Sequence, residues 1–175
     1  ISSSTVYPTT DNPVKEDEAF SGDPHPSYFG SAWMKRYIEK LAQFYCEKYG
    51  RHIIVVRPTN VYGPFDKFDF GTSHVLPALI RRAVERQNPF EVWGDGSAVR
   101  DFIYVSDMVE AMLRAMEHYT QFNPFNIGSG EPVTIKESLE WILKLSQHTT
   151  AEVIYDSSKP TTIPVRIVDL TKARE

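Results

Sequence analysis

The spacing of apolar residues in the first third of the chain predicts a long helix followed by a buried strand. Across residues 27–49 the apolar positions recur at three- and four-residue steps, at Met34, Ile38, Leu41 and Tyr45. This period is typical of an amphipathic helix, and Gly50 is a helix-ending residue. Residues 52–56 form a continuous apolar, β-branched run, as expected of a strand buried on both faces.

The rest of the pattern alternates between the same two kinds of element. Helical periods cover residues 74–87, 107–119 and 133–147. Strand-like runs cover residues 1–6, 90–93, 100–105, 125–127, 153–155 and 165–168. The second and third of these runs flank a turn at Gly94-Asp95-Gly96. Strands that alternate with helices predict an α/β fold.

Composition narrows the class of protein. The 175 residues, 41% hydrophobic and 24% charged, fit one globular domain with a core of its own. A net charge of −4 predicts neither a nucleic-acid nor a membrane partner, and no apolar run approaches the roughly 18 residues of a membrane span. The single cysteine, Cys46, excludes an internal disulfide and favours a reducing compartment, so we expect a cytoplasmic protein. No metal site is predicted.

Three motifs follow one another in the middle of the chain. They are R-P-T-N-V-Y-G-P at 57–64, S-H-V-L-P-A-L-I-R-R at 73–82 and V-W-G-D-G-S-A-V-R-D-F-I-Y-V-S-D at 92–107. In this order, and with these flanking elements, they resemble the extended short-chain dehydrogenases that act as NAD(P)-dependent nucleotide-sugar epimerases and dehydratases. The S-H-V-L-P-A-L stretch is most similar to the GDP-L-fucose synthase branch.

The resemblance implies the C-terminal part of a Rossmann-type fold. Residues 1–64 would supply its last parallel strands and helix, and residues 65–175 mainly a small α/β substrate domain with some segments that return to the sheet. It also implies an NAD or NADP cofactor. The Gly-rich turn that binds such a cofactor does not occur in this sequence, since Gly128-Ser129-Gly130 is too short. We therefore expect a piece of a longer protein, without the dinucleotide-binding half.

The resemblance also implies a catalytic Ser/Thr, Tyr and Lys. Ser3 matches the first, and Lys35, which would also contact the cofactor ribose, matches the last. The tyrosine should stand four residues before the lysine, where this chain has Ser31. A serine hydroxyl is far less acidic than a phenol, so we expect little or no turnover. Tyr28 is the nearest phenol on that side of the helix, displaced by most of a turn of about 5.4 Å.

Three residues are expected to contact the substrate on stronger grounds than the others. Asn60 follows a strand, where open α/β sheets bind ligands, and by resemblance contacts the sugar or diphosphate, although it could also order the turn. His74 matches a proposed acid/base for epimerisation. Arg100, in the R-D-F-I-Y-V motif, matches an arginine that contacts the nucleotide diphosphate, which suits its planar fork of donors.

Weaker matches complete the predicted substrate site. Arg82 could pair with the diphosphate, although one of the neighbours Arg81 and Arg82 is expected to be only solvated. Trp93 matches a residue near the base, and Lys159 and Arg166 fall near a nucleotide-binding segment of the family. Thr5 departs from the fucose synthases, which have Cys there, and is similar to several sugar epimerases.

Two functions remain open at this stage. One is a nucleotide-sugar epimerase or reductase that transfers hydride at a sugar carbon, with possible epimerisation through His74. The other is a catalytically inactive module that retains the nucleotide-sugar pocket. The helix at 27–49 also resembles the dimer-forming helix of the family, so a homodimer is expected.

Overall fold

The computed structural model describes residues 1–159 and 161–175. The α-helices are α1 Phe29–Tyr49, α2 Val75–Val84, α3 Val105–His118, α4 Ile135–Leu145 and α5 Thr171–Arg174. The strands are β1 Ile54–Pro58, β2 Asn60–Tyr62, β3 Phe90–Trp93, β4 Val99–Tyr104, β5 Asn123–Ile127, β6 Pro132–Thr134, β7 Val153–Asp156 and β8 Val165–Arg166. Three 3-10 turns cover Ser4–Val6, Glu16–Phe20 and Pro26–Tyr28. No helix among these residues is long and apolar enough to cross a bilayer.

Parallel pairing dominates the sheets and confirms the predicted α/β class. β1 pairs with β5, β2 with β4, β3 with β7, and β4 with β8, all in parallel. Only β6 runs antiparallel, against β4, among the strands that the structure describes. Parallel neighbours need crossover connections: α2 lies in the connection from β2 to β4, α3 in that from β1 to β5, and α4 in that from β3 to β7.

Three small apolar cores hold the elements together. The first packs Leu79 and Ala83 of α2 and Leu139 of α4 against Phe90 and Val92 of β3. The second surrounds the 3-10 turn at Ser4–Val6, and the third lies between the middle strands and α3. The first core fixes α2 beside β3, which places the N-terminal end of α2 next to the ends of β2 and β4.

Several element bounds differ from the sequence prediction, each for a local reason. The strand predicted at residues 1–6 is a 3-10 turn, and only Ser2 keeps a sheet-like bond, donating its N–H to the Val56 carbonyl at 2.7 Å. β3 and β4 do not pair across the Gly94–Gly96 turn, because β3 runs beside β7 instead. Helix α4 begins late because Thr134 and Glu137 form a capping box after β6.

A buried ion pair joins α1 to β1. Arg57 approaches Glu39 through two nitrogens, with Nε at 3.0 Å and Nη2 at 2.5 Å from the two carboxylate oxygens. Both side chains are 2% exposed. Burial alone would lower the pKa of Arg57, but the hydrogen bonds and charge of Glu39 outweigh it and raise that pKa. The pair therefore stays ionised in the interior.

Neighbouring polar groups extend this pair into a network. Ser2 donates its hydroxyl to Glu39, and Arg57 Nη1 donates to the Tyr7 hydroxyl at 3.0 Å. Tyr7 in turn donates to Asn126, whose amide donates to the Val14 carbonyl at 2.9 Å. Burial raises the pKa of Tyr7 to about 12, so its phenol remains a donor. The network ties the N-terminal turn to α1, β1 and β5.

Replacing Glu39 by Ala should destabilise the chain by about 3–5 kcal/mol, because Arg57 would remain as a buried charge without a partner. The matched control is Glu47→Ala on the exposed face of the same helix, which should change stability by less than about 0.5 kcal/mol. Urea unfolding measures both. Equal, small losses in the two variants would show that the ion pair does not stabilise the fold.

Candidate functional site

One cleft of about 580 Å³ brings together most of the predicted site residues. It lies between the Ser3–Thr5 turn, β2, the N-terminal half of α2, β3 and β4. Seven of the ten predicted site residues line it: Ser3, Thr5, Asn60, His74, Arg82, Trp93 and Arg100. Because these residues are up to 97 positions apart in sequence, the fold, and not local spacing, assembles the cleft.

Several hydroxyl groups that line the cleft have unused hydrogen-bonding capacity. Ser3 Oγ accepts the Thr5 N–H at 3.2 Å, which leaves the serine proton free to donate. The Oγ1 of Thr5 and the Oγ of Ser73 are buried and have no partner within the described residues. Buried polar atoms normally have partners, so the cleft suits a ligand that carries many oxygens.

Asn60 lies at the start of β2 and faces both the cleft and the sheet. Its amide nitrogen donates to the Asp101 carbonyl at 2.9 Å. The residue therefore links β2 to β4 and also lies in the lining of the cleft.

Asp101 is a structural residue that the sequence analysis did not identify. Its carboxylate accepts the Ser129 N–H at 2.8 Å, the Ser129 hydroxyl at 2.7 Å and the Gly130 N–H at 3.0 Å. A Cβ on Gly128 would lie 2.5 Å from the same carboxylate. An aspartate inside a strand was the available signal, because Asp is depleted there unless it has partners.

The contacts with Asp101 determine the structural role of the loop at residues 128–130. The backbone N–H groups of Ser129 and Gly130 donate to a carboxylate of the chain itself, so they do not form a phosphate cradle. Residues 128–130 therefore do not fit the pyrophosphate of a nicotinamide cofactor.

His74 stands at the N-cap of α2 with its side chain exposed at the cleft. The imidazole makes no capping hydrogen bond. Because the imidazole is not used to cap its own helix, its nitrogens are available to a ligand in the cleft.

Arg100 is a buried cation at the edge of the cleft. Its side chain is held by neutral acceptors only: the carbonyls of Val99 at 2.8 Å, Ile163 at 2.8 Å and Pro164 at 3.2 Å, and the Thr162 hydroxyl at 3.1 Å. Burial lowers the pKa of Arg100, and the described residues place no carboxylate in ion-pair contact with it. The side chain both clamps the 162–164 segment and leaves a positive charge without a counterion.

The structure distinguishes Arg82 from its neighbour Arg81. Arg82 lines the cleft and donates to the Gln87 side chain at 3.0 Å. Arg81 points elsewhere, since it forms an ion pair with Glu85 at 2.7 Å. Of the two arginines that the sequence could not distinguish, Arg82 therefore lies in the cleft and Arg81 lies outside it.

Trp93 and Lys159 lie together at the rim. Trp93 is 50% exposed, and its indole N–H donates to Glu91 at 3.0 Å. Lys159 does not line the cleft, but its ammonium lies 5.9 Å from the centre of the Trp93 ring. The predicted lysine is thus adjacent to the predicted base-contacting residue.

Two of the three predicted catalytic positions around α1 lie outside the cleft. The exposed Ser31 donates its hydroxyl to the Tyr28 carbonyl at 3.2 Å, and Lys35 donates to the Ile1 carbonyl at 2.9 Å. Neither side chain lines the cleft, whereas Ser3 and Tyr28 do. The first turn of α1 therefore presents no phenol to the cleft in place of the tyrosine expected at position 31.

Fold and cleft together indicate an α/β protein with a cleft large enough for a small molecule, and comparison gives the family. The family described as NAD dependent epimerase/dehydratase matches residues 1–128, and the chain belongs to it. The chain is 39% identical over 180 residues to the probable GDP-L-fucose synthase 1 of Oryza sativa subsp. japonica, covering all of this chain and 55% of that protein. It is 35% identical over 189 residues to the GDP-L-fucose synthase of Escherichia coli K12, covering 100% of this chain and 59% of that protein.

Solved structures give the same result. A GDP-L-fucose synthetase from Naegleria fowleri bound to NADP superposes with a TM-score of 0.88 at 28% identity, covering 98% of this chain and 54% of that one. A UDP-glucose 4-epimerase from Thermotoga maritima with UDP-glucose superposes with a TM-score of 0.85 at 28% identity, covering 99% and 54%. The chain thus spans about half the length of the proteins that it matches.

Proposed function

We propose that the cleft binds a nucleotide-diphosphate sugar, and that the chain is the substrate-binding part of an NAD(P)-dependent nucleotide-sugar epimerase or reductase. The observation that carries this proposal is Arg100, a buried guanidinium at the cleft that only neutral groups hold. A buried charge is costly unless it is paired, and a diphosphate supplies the missing negative charge.

The other walls of the cleft suit the remaining parts of such a ligand. Thr5 and Ser73 offer unsatisfied hydroxyls to a sugar, and the half-exposed Trp93 offers a flat aromatic face to a base. A volume of about 580 Å³ lies within the usual range for small-molecule sites. The relative with UDP-glucose supports the same class of ligand. Within that class we propose a GDP-, UDP- or dTDP-sugar.

The proposed catalytic roles follow the family pattern as far as this chain allows. Ser3 would hold the reacting sugar oxygen, Lys35 the cofactor ribose, and His74 would exchange a proton during epimerisation. NAD or NADP would supply the hydride, but residues 1–64 are only the C-terminal part of the dinucleotide-binding domain in this proposal, with 65–175 mainly the substrate domain. Asn60, Arg82 and Lys159 are proposed as further ligand contacts.

A second candidate is a nucleotide-sugar-binding module without catalysis. The observation that favours it is Ser31, which is exposed, bonded to its own helix and outside the cleft. The two candidates share the cleft and its ligand. They differ only in whether a proton can be transferred at position 31.

The chain should bind UDP or GDP in calorimetry. Arg100→Met should weaken that binding at least about 10-fold, because a hydrogen-bonded charge on the phosphate is lost. Arg114→Met, on the exposed face of α3, is the matched control and should bind as the original chain does. Failure of a folded sample to bind either nucleotide would refute the proposed ligand.

Restoring tyrosine separates the two candidates. In the complete natural protein that contains this chain, Ser31→Tyr should raise turnover of GDP-, UDP- or dTDP-sugars with NAD or NADP by about 100-fold or more, the usual range for a general acid–base group. Ser31→Phe adds the same ring without the hydroxyl and should give no gain. If the two variants are equally inactive while folded, the binding module is the correct candidate.

We also propose that α1 forms a homodimer contact. Four apolar side chains on this helix are exposed by 40–67%: Met34, Tyr37, Leu41 and Tyr45. Soluble proteins rarely leave a continuous apolar stripe of this kind in contact with water, which favours a partner surface.

The dimer proposal predicts a difference between two leucines. Leu41→Glu in α1 should raise the dimer dissociation constant at least about 10-fold, since it places a charge in the apolar contact. Leu145→Glu, at a leucine of α4 that is 78% exposed, makes the same change elsewhere and should have little effect. Sedimentation equilibrium measures both. A monomeric original chain, or equal effects, would rule out the α1 contact.

A further inference from the structure

Phe70 lies in the loop between β2 and α2, outside the sequence motifs, and the proposed function gives it no role. It is 36% exposed and belongs to the lining of the cleft. Asp69 orders the loop around it, because its carboxylate accepts the Gly71 N–H at 2.9 Å and its carbonyl accepts the Ser73 N–H at 2.8 Å. The backbone at Phe70 is therefore held in a defined turn beside the cleft.

Two consecutive arginines of α2 lie over the Phe70 ring. The central guanidinium carbon is 4.1 Å from the ring centre for Arg81 and 4.9 Å for Arg82. Both distances are within the roughly 6 Å over which a guanidinium is attracted to the face of an aromatic ring. One ring therefore contacts two neighbouring positive charges.

The two arginines differ in the rest of their contacts. Arg81 pairs with Glu85 at 2.7 Å and donates to the Phe68 carbonyl at 2.8 Å, so it fastens the loop to α2. Arg82 lines the cleft and belongs to none of the ion pairs in the part of the chain that the structure describes. Its side chain donates only through Nη1 there, to the Gln87 side chain at 3.0 Å.

A single hydrogen bond leaves an arginine side chain much of its rotational freedom. Ordering such a side chain when a ligand binds costs affinity, and a contact that restricts it beforehand reduces that cost. The Phe70 ring restricts the Arg82 guanidinium through its face. It uses no N–H group, so the donors that Gln87 does not occupy stay available to a ligand.

We propose that Phe70 is a positioning residue, which holds the Arg82 guanidinium in the wall of the cleft so that it is oriented before the ligand binds. The ligand, a nucleotide-diphosphate sugar, and its contact with Arg82 rest on the proposed function; the role of Phe70 goes beyond it. Phe70 acts through Arg82 and not through a contact of its own with the ligand. Arg81 supports this role from outside the cleft, since it holds the loop that carries the ring.

A double-mutant cycle on UDP binding, measured by calorimetry, tests this role. Phe70→Leu keeps an apolar side chain but removes the aromatic face, and it should weaken UDP binding by about 5-fold, the scale of one cation–π contact. In an Arg82→Met background the same change should cost less than about 2-fold, because the residue through which Phe70 acts is already gone. Phe70→Tyr keeps the ring and should bind UDP as the original chain does.

Phe44→Leu is the matched control. The Lys48 ammonium lies 5.2 Å from the centre of the Phe44 ring, so this change removes a contact of the same kind on α1, away from the cleft. UDP binding should be the same as in the original chain. A loss as large as that of Phe70→Leu would show that the effect is not specific to Arg82, and the proposal would be wrong.

The remaining outcomes separate this role from the proposed function. Equal losses for Phe70→Leu in the two backgrounds would show that the residue acts independently of Arg82, and no loss in either would show that Arg82 does not depend on it. If Arg82→Met alone binds UDP as the original chain does, Arg82 is not a ligand contact. Each of these results overturns the role of Phe70 while the cleft still binds its ligand. If the folded original chain binds neither UDP nor GDP, the proposed function fails and the role of Phe70 fails with it.

Discussion

The ion pair between Glu39 and Arg57 is the interaction on which the geometry of the cleft depends. It lies in the interior and joins the middle of α1 to β1, the strand that leads into Asn60. Through Ser2 and Tyr7 it also fixes both ends of the short turn that presents Ser3 and Thr5. The cleft residues on this turn are thus held by a polar network, since the turn itself forms no regular strand.

The position of Arg100 explains why a ligand is expected at the cleft. Arg57 has a carboxylate and a phenol as partners, so its charge is balanced within the fold. Arg36, Arg100 and Arg166 are also buried, and their hydrogen bonds go to carbonyls and one hydroxyl. Among these three, Arg100 is the one that lines the cleft, so its charge is available to an anion there.

Much of the site could be predicted from sequence because motifs encode it locally. The three blocks between 57 and 107 predict ligand contacts at Asn60, His74, Arg82, Trp93 and Arg100, and all five line one cleft. What the sequence did not reveal depends on contacts between distant residues. Asp101 reaches across to Ser129, Arg166 lies beside Arg100 because β8 pairs with β4, and β2 is too short for a periodic signal. The pairing of β3 with β7 also joins residues far apart in sequence, so the sequence pattern did not predict it.

Ser31 is a residue for which the sequence raised the question and the structure gives the position. Its hydroxyl donates to the Tyr28 carbonyl and lies outside the cleft, whereas the Tyr28 side chain lines the cleft. Most of the residues proposed to hold the ligand therefore line the cleft, while Ser31 and Lys35, which were predicted from the catalytic motif, lie outside it.

A crystal structure of the chain with UDP-glucose would test the central claim most directly. The account predicts that the diphosphate lies in the cleft within hydrogen-bond distance of Arg100, with the base towards Trp93 and the sugar towards Ser3 and Thr5. A nucleotide sugar bound with its diphosphate away from Arg100, or a cleft that stays empty at saturating ligand, would contradict it.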